Sequence, residues 1–349
     1  MAVIHMLSGE GIAEVGLGTG TGLGYLRKYG LGSFQYRGRE IDCFVTTGSG
    51  LSIGQPTTWY DIGRAFRMDN SSTAARLHYS IPTTDPVFDL DRNGTWFIHV
   101  SMQAGGYGPT TNYVNIPYLD ADGASQTLTL SAAFANKGMV PIEVIVDWVS
   151  MAITVYKAGE QMAYVNFTMI TGAIDVGYCS RVATNTGGWS VINNLYFVID
   201  HPDDPNPTGR LGPCVVQAEP LATYITDGNF DPIDPAVALP ILNTFNPATA
   251  LTAESVVTDG SSKQLTVGVD PASVNDAIAA YVTVLTFKDS FSMANTVGKA
   301  NLPGAEEIVA ETPSTSINGS ISYAINSNAN GDPLTKAGDI PTVSIWSKL

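Results

Sequence analysis

Three stretches carry residues whose types and spacing could do chemistry. The first is GLGTGTGLG over residues 16–24, followed by Arg27 and Lys28. A dinucleotide loop needs G-x-G-x-x-G between a strand and a helix, and the required third glycine falls on Thr21, Tyr25 or Arg27 in the frames that begin at Gly16, Gly20 and Gly22. A phosphate loop needs Lys followed by Ser or Thr, whereas Lys28 precedes Tyr29. The stretch therefore reads as a pliable N-terminal arm. The second is Gly50-Leu-Ser-Ile-Gly54, which matches G-x-S-x-G around Ser52, but Gln55-Pro56 does not open the helix that a nucleophile elbow demands. The third, Asp89-x-Asp91-x-Asn93-Gly94, spaces oxygen ligands as a calcium loop does. Its twelfth position is Val100 instead of Glu, so a hairpin turn at Asn93-Gly94 is the preferred reading and Ca²⁺ at Asp89, Asp91 and Asn93 the alternative.

Other candidates are thinner. Glu143 and Asp147 lie four apart on one strand face and read as solvated carboxylates. His5, His78, His99 and His201 are scattered with no metal-ligand spacing, and Cys43, Cys179 and Cys214 form neither a disulfide framework nor a zinc cluster. Aromatic residues near turns, Trp59, Tyr107, Tyr113 and Trp189, are candidates for stacking on sugar rings, against the competing reading that they pack in a core or interface. No catalytic constellation emerges, and the chain reads as non-enzymatic.

The elements that must carry these residues are strands. In the run from Pro141 to Lys157, Ile142, Val144, Val146 and Trp148 alternate with Glu143, Ile145, Asp147 and Val149, which is period 2. Similar runs occur at 41–47, 75–81, 95–102, 126–133, 162–169 and 194–200, separated by Gly, Pro, Asn and Asp clusters. The spacing predicts a mainly β protein: a glycine-rich arm over 1–34, a lectin-like (jelly-roll) β-sandwich over 35–220, and a smaller β-rich domain over 221–349. One short helix is expected at Asp270–Val282, with Asp270 as N-cap and Pro271 at its first position. Pro232, Pro235, Pro240 and Pro247 read as an extended connection.

Composition narrows the partners. Only 14% of the 349 residues are charged, against about 25% in an average soluble domain, while Gly (35) and Pro (20) are plentiful. Such a surface suits burial in an assembly. The net charge of −15 argues against nucleic acid, which needs a basic face. It is unevenly spread: residues 211–349 hold five Lys, no Arg and fourteen Asp/Glu. The N-terminus lacks the basic-then-apolar order of a signal peptide, and no apolar run approaches the roughly 20 residues of a membrane span, so no membrane insertion is expected.

Taken in order, Trp59-x-x-x-Gly63, Gly94-TWFIHV, Val140-PIEVIVDWVSMAITVYKAGEQ, Asn193-NLYFVIDHPDD and Leu211-GPCVVQAEPL resemble structural proteins of tailed bacteriophages whose N-terminal domain is a concanavalin A/laminin-G-like sandwich. The resemblance covers residues 55–225. It departs at Lys157-Ala158-Gly159, where the family has Asn-Gly, and at Gly212-Pro213-Cys214. It implies a non-enzymatic virion component of the head, collar or tail, a homo-oligomer with a trimer favoured. Its partners would be other virion proteins and a host surface polysaccharide. The alternative is a carbohydrate-binding lectin module.

Overall fold

The computed structural model describes residues 2–7, 32–37, 39–47, 51–54, 65–69, 76–105, 111–132, 139–180, 189–203, 209–212, 214–217, 219–226, 230–231, 233–243, 252–253, 263–277, 279–287, 295–300, 310–311, 318–325 and 327–348. The glycine stretch with Arg27 and Lys28 lies outside these residues. The chain divides into two compact units, the first running to Gln217 and the second from Ala218 to Leu349.

The first unit opens with β1 (Ala2–Leu7), β2 (Ser33–Tyr36), β3 (Arg39–Asp42), β4 (Phe44–Thr47), β5 (Leu51–Gly54) and β6 (Ala65–Asp69). It continues with β7 (Arg76–Ile81), β8 (Thr95–Gly105), β9 (Thr111–Leu119), β10 (Ser125–Ala132) and β11 (Val140–Asp147). β12 (Ala152–Lys157), β13 (Glu160–Asn166), β14 (Met169–Ile170), β15 (Ile174–Ser180) and β16 (Trp189–Asp200) complete it. One sheet runs β13-β12-β11-β8-β16-β6-β5, with β1 also on β16; the other runs β10-β9-β15-β7-β4, with β14 on β9. This is a lectin-like β-sandwich. β1 pairs antiparallel with β16, so the first residues belong to the sandwich and are not a separate arm.

Alternation decides which face each strand buries. Trp96, Ile98 and Val100 of β8, Ile142, Val144 and Val146 of β11, and Phe197 of β16 are fully buried, as are Tyr79, Val114, Ile116, Ile174 and Val176 of the other sheet. Each such side chain contributes about 1.5–3 kcal/mol of apolar burial. The two sheets meet closely at Gly177, where an added Cβ would lie 3.0 Å from Val100 and 3.3 Å from Ile192. His5 of β1 reaches Tyr79 Oη of β7 at 2.8 Å across the same interior. Phe34, Phe88, Trp96 and Phe197 pack edge-on around each other at ring separations of 5.3–6.2 Å.

Two expectations fail. Val87–Leu90, expected as a strand before a hairpin, lies in a 3₁₀ helix, Pro86–Asp91. Asp85 caps it by accepting from Val87 N at 3.0 Å, and Pro86 supplies the first turn, so Asn93-Gly94 follows a helix end and not a strand. The helix expected at Asp270 does not form. Asp270 does accept from Ala272 N, but the next backbone groups bond to another segment: Ala277 N to Thr335 O, and Ala337 N to Asn275 O. Among the described residues the α-helix is instead α1 (Pro235–Leu242), capped by Asp234, within the proline-rich stretch read as extended.

The second unit holds β17 (Leu221–Thr226), β18 (Phe230–Asp231), β19 (Thr252–Ala253), β20 (Lys263–Val269) and β21 (Ala280–Phe287), then β22 (Asn295–Ala300), β23 (Ala310–Glu311), β24 (Asn318–Ile325) and β25 (Val343–Lys348). Its sheet runs β17-β20-β25-β22-β23, and β21-β24 and β18-β19 form two ribbons. Tyr224, Ala238, Leu265, Val267, Ile325, Leu334 and Val343 make its core.

Candidate functional site

The sequence-derived candidates do not converge. Trp59 and Tyr107 lie outside the described residues, and Trp189 is placed as the first residue of β16. Tyr113 cannot stack on an external sugar: it is 1% exposed, because a bulge opposite Leu130/Ser131 turns it inward, and Lys157 Nζ lies 5.9 Å from its ring centre. Ser52 sits inside β5 opposite Arg67, within a strand and not at a strand-to-helix elbow. The calcium reading is also corrected. Asp91 is fully buried, and its Oδ1 is held by Arg37 Nη2 at 2.9 Å and His201 Nε2 at 3.1 Å. Asp89 pairs with Arg92 at 3.1 Å, and Asn93 Oδ1 lies 3.4 Å from His201 Nδ1. Arg37 and Arg92 thus pair with the two carboxylates that a cation would need. Among the described residues, no group of three or more His, Cys, Asp and Glu is arranged to hold a metal ion.

A polar row crosses the outer face of the larger sheet. Register places Glu143 of β11 opposite His99 of β8, and His99 opposite Tyr196 of β16. Glu143 is 3% exposed, contrary to its expected solvation. Its carboxylate accepts from Arg210 Nε, from Tyr196 Oη at 3.2 Å and from Gly212 N at 3.3 Å. Arg210 also stacks over Tyr156, 3.5 Å from its ring centre. Val216 N donates to Asn194 Oδ1 at 3.2 Å. The segment from Arg210 to Val216 is thereby strapped over the row. His99 lies parallel to Tyr196 at 4.7 Å and shares a hydrogen bond with Asn194 O at 2.7 Å. Burial pulls the His99 imidazole down to about 4 against a smaller upward effect of that hydrogen bond, so it is neutral at pH 7. Burial first, then the Glu143 charge, pushes the Cys214 thiol up to about 11, and the Tyr196 phenol is raised as well. These values leave neither an activated thiolate nor a phenolate at neutral pH. Glu143, His99 and Tyr196 are shut off from solvent.

The end of the sandwich is open. A cavity of about 350 Å³ lies among Thr84, Arg92, Trp148, Met151, Thr168, Met169 and Ile170. Four segments position them. Thr84 precedes the capping Asp85, and Arg92 follows the 3₁₀ helix. Trp148 begins the turn after β11, where Asp147 accepts from Val149 N, Ser150 N and Ser150 Oγ. The same turn places Met151 at φ +53°, and its carbonyl accepts from Phe167 N at 2.9 Å. Thr168 is fixed by its hydroxyl donating to Asp120 O at 3.0 Å. Trp148 is 8% exposed and meets Trp96 and Phe167 edge-on, at 5.2 and 5.4 Å. Arg92 donates to Thr83 O at 2.6 Å and lies 5.9 Å over the Trp148 ring. Two buried donors of the lining residues, Trp148 Nε1 and Arg92 Nε, have no acceptor, and both are sealed from water. A buried donor left unmet costs about 1–3 kcal/mol, which marks the place as unusual. Nothing in the sequence pointed here, because the lining comes from three stretches of the chain, around residues 84–92, 148–151 and 168–170.

No known family model matches the chain, and no curated protein matches its sequence. Among solved structures it is similar to lectin II from Ulex europaeus, with a TM-score of 0.31 and 9% identity over 46% of this chain and 94% of that one. It is also similar to the CBM22-1 xylan-binding domain from Paenibacillus barcinonensis Xyn10C, with a TM-score of 0.28 and 11% identity over 46% and 87%. A third is the alginate lyase from Corynebacterium sp., with a TM-score of 0.28 and 13% identity over 43% and 81%. Likenesses this distant carry no argument about activity.

Proposed function

We propose that the chain is a binding protein and that its sandwich unit takes a saccharide at the open end. The observation that supports this reading is the cavity beside Trp148. Its volume of about 350 Å³ falls within the roughly 300–1,000 Å³ usual for small-molecule sites. Its wall combines an aromatic residue, apolar Met151, Met169 and Ile170, the hydroxyls of Thr84 and Thr168, and a guanidinium. A pyranose ring offers the matching surfaces: C–H faces for the apolar wall and hydroxyls for the polar groups. Isothermal titration of the full chain against a panel of monosaccharide glycosides tests it. Saturable binding that is lost in Trp148→Ala and kept in Val274→Ala, a distant exposed position, is the expected result. No binding to any glycoside would overturn it.

A second reading is a structural component of a tailed-phage particle, assembling as a homo-oligomer with other virion proteins; exposed apolar side chains around the same end support its self-assembly alone. Leu90 is 73% exposed, Val149 69% and Met169 50%. Large apolar groups left in water so close together suit an interface. Light scattering on the purified chain separates the two readings: a defined trimer that holds together on dilution supports assembly, and a monomer removes it.

A further inference from the structure

We infer that the chain pairs with a second copy of itself through β10, the outer strand of the smaller sheet, joining two sheets edge to edge about a two-fold axis. This goes beyond both readings above and uses neither the end cavity nor the apolar residues beside it. Among the described residues β10 has one neighbour, β9. Its free side can be read from that neighbour. The carbonyls of Pro117 and Leu119 on β9 accept from Thr171 N at 3.0 Å and Thr168 N at 2.8 Å. These two residues thus turn their backbone groups away from β10, and Pro117 has no N–H to offer it. Register sets Thr127 opposite Pro117 and Ser125 opposite Leu119. In an antiparallel ladder, opposed residues either bond each other or both turn away. The N–H and C=O groups of Ser125 and Thr127 therefore face outward, and alternation adds those of Thr129 and Ser131.

Sheet edges are usually guarded by charge, proline, a bulge or brevity. β13, at one edge of the larger sheet, carries Glu160 and an irregular register, and β5, at the other, has four residues. β10 has eight, SQTLTLSA, with no charge and no proline. The irregularity beside Leu130 lies in β9, where Tyr113 is the extra residue. The Thr129 and Ser131 hydroxyls donate to Asn115 and Asn112, which holds β10 regular against β9. The strand is also its own complement. Pairing about Thr129 sets Thr127 of one copy against Ser131 of the other, and their outward groups exchange hydrogen bonds. On the opposite face Leu128 meets Leu130 of the second copy. Both leucines are half-buried, across from fully buried Ile116 and Val114, so the second copy completes their burial. A charged partner strand would find no counter-charge on β10. The net charge of −15 does not oppose the pairing. The nearest acid along the chain, Asp122, would lie about 24 Å from the axis at about 3.4 Å per residue, and the two copies of it at opposite ends, beyond a screening length of about 8–10 Å.

The test measures the native mass of the full chain by sedimentation across a hundredfold range of concentration, together with residue-resolved hydrogen exchange. Eight residues a side is fewer than the roughly 20–30 of a standard interface, so the expected result is a dimer that dissociates on dilution. In the dimer the Thr127 and Thr129 amides should exchange at least tenfold more slowly than in the diluted monomer, while those of Leu128 and Leu130, which face β9, should not change. Thr129→Pro removes an N–H that β9 does not use, and Thr129→Lys sets two like charges together at the axis. Each should lower the association constant at least tenfold and keep a cooperative thermal transition. A Thr129→Pro chain that fails to fold leaves Thr129→Lys as the deciding variant. A monomer at every concentration, a trimer, or a dimer untouched by Thr129→Lys would overturn the pairing. None of these results bears on glycoside binding, and a trimer would leave the assembly reading standing.

Discussion

Acid should unfold the sandwich in a window set by two buried histidines. Burial lowers His5 from 6.5 to about 3 and His99 to about 4. The unfolded chain therefore takes up both protons first as the pH falls. The pH-dependent part of the stability is complete above pH 6.5 and is lost progressively down to the folded values. At pH 5 each histidine contributes a loss of about 2 kcal/mol relative to pH 8, from RT ln(1 + 10^1.5), so the pair accounts for about 4 kcal/mol. His78 and His201 lie near carboxylates, Asp175 at 3.5 Å and Asp91 at 3.1 Å, and their effects cancel when variants are compared. His99→Gln retains a hydrogen-bonding group near Asn194 O without a proton to gain. Guanidinium unfolding at pH 8, 6.5 and 5, followed by tryptophan fluorescence, measures the difference. Of the five tryptophans, Trp59, Trp96, Trp148 and Trp189 belong to the first unit. The expected result is a variant less stable at pH 8 but with about 2 kcal/mol less dependence on pH between 8 and 5. A variant with the wild-type pH slope would refute the reasoning, because it would mean that His99 takes up its proton in the folded state as easily as in water.

Further outcomes concern positions with one dominant physical cause. Ala158 sits at φ +51° in the turn between β12 and β13, where an alanine is strained; Ala158→Asn should raise stability by about 0.5–1 kcal/mol, read as a shift of the denaturation midpoint. At Gly94 a Cβ would lie 2.4 Å from the Asp200 carbonyl oxygen, so Gly94→Ala should destabilise the sandwich by about 3 kcal/mol or more, seen as loss of a cooperative thermal transition. Glu143→Ala should cost about 2–3 kcal/mol, less than a fully buried pair because Arg210 is one-third exposed, and should expose the Arg210–Val216 strap to proteolysis while wild type resists.

What could be read from the sequence was what period 2 governs. The alternation of Ile142, Val144 and Val146 against Glu143 and Ile145 gives β11 and its inward face, and the Lys157-Ala158-Gly159 break gives the turn before β13. The inward face is set locally, by apolar transfer. The fate of the outward face is not. Glu143 looks solvated until Arg210, far along the chain, covers it. The two misplaced helices show the same limit. Asp234-Pro235 and Asp270-Pro271 are identical start signals, and the outcome depends on whether the following N–H groups find their own turn or the 335–338 segment. The aromatic candidates lie near turns in the sequence, yet Tyr113 is buried at a bulge that no composition rule reveals. The cavity residues come from both ends of the 3₁₀ helix, the turn after β11, and Thr168 with β14, whose meeting is a property of the closed sandwich, so no motif spacing holds them.

The strap over the outer sheet has a consequence for how the protein is made. Glu143 leaves the ribosome 67 residues before Arg210, and β1, the earliest strand, pairs with β16, the last of the sandwich. Neither the first strand nor the central carboxylate has its partner until nearly the whole unit has been synthesised. At about 5–20 residues per second, the wait between Glu143 and Arg210 is on the order of 3–13 seconds, during which a carboxylate destined for burial stays in water. These two pairings therefore form late, after β16 and the strap have emerged. A slow stretch of translation placed far enough beyond residue 217 for the strap to have left the ribosome would favour those pairings.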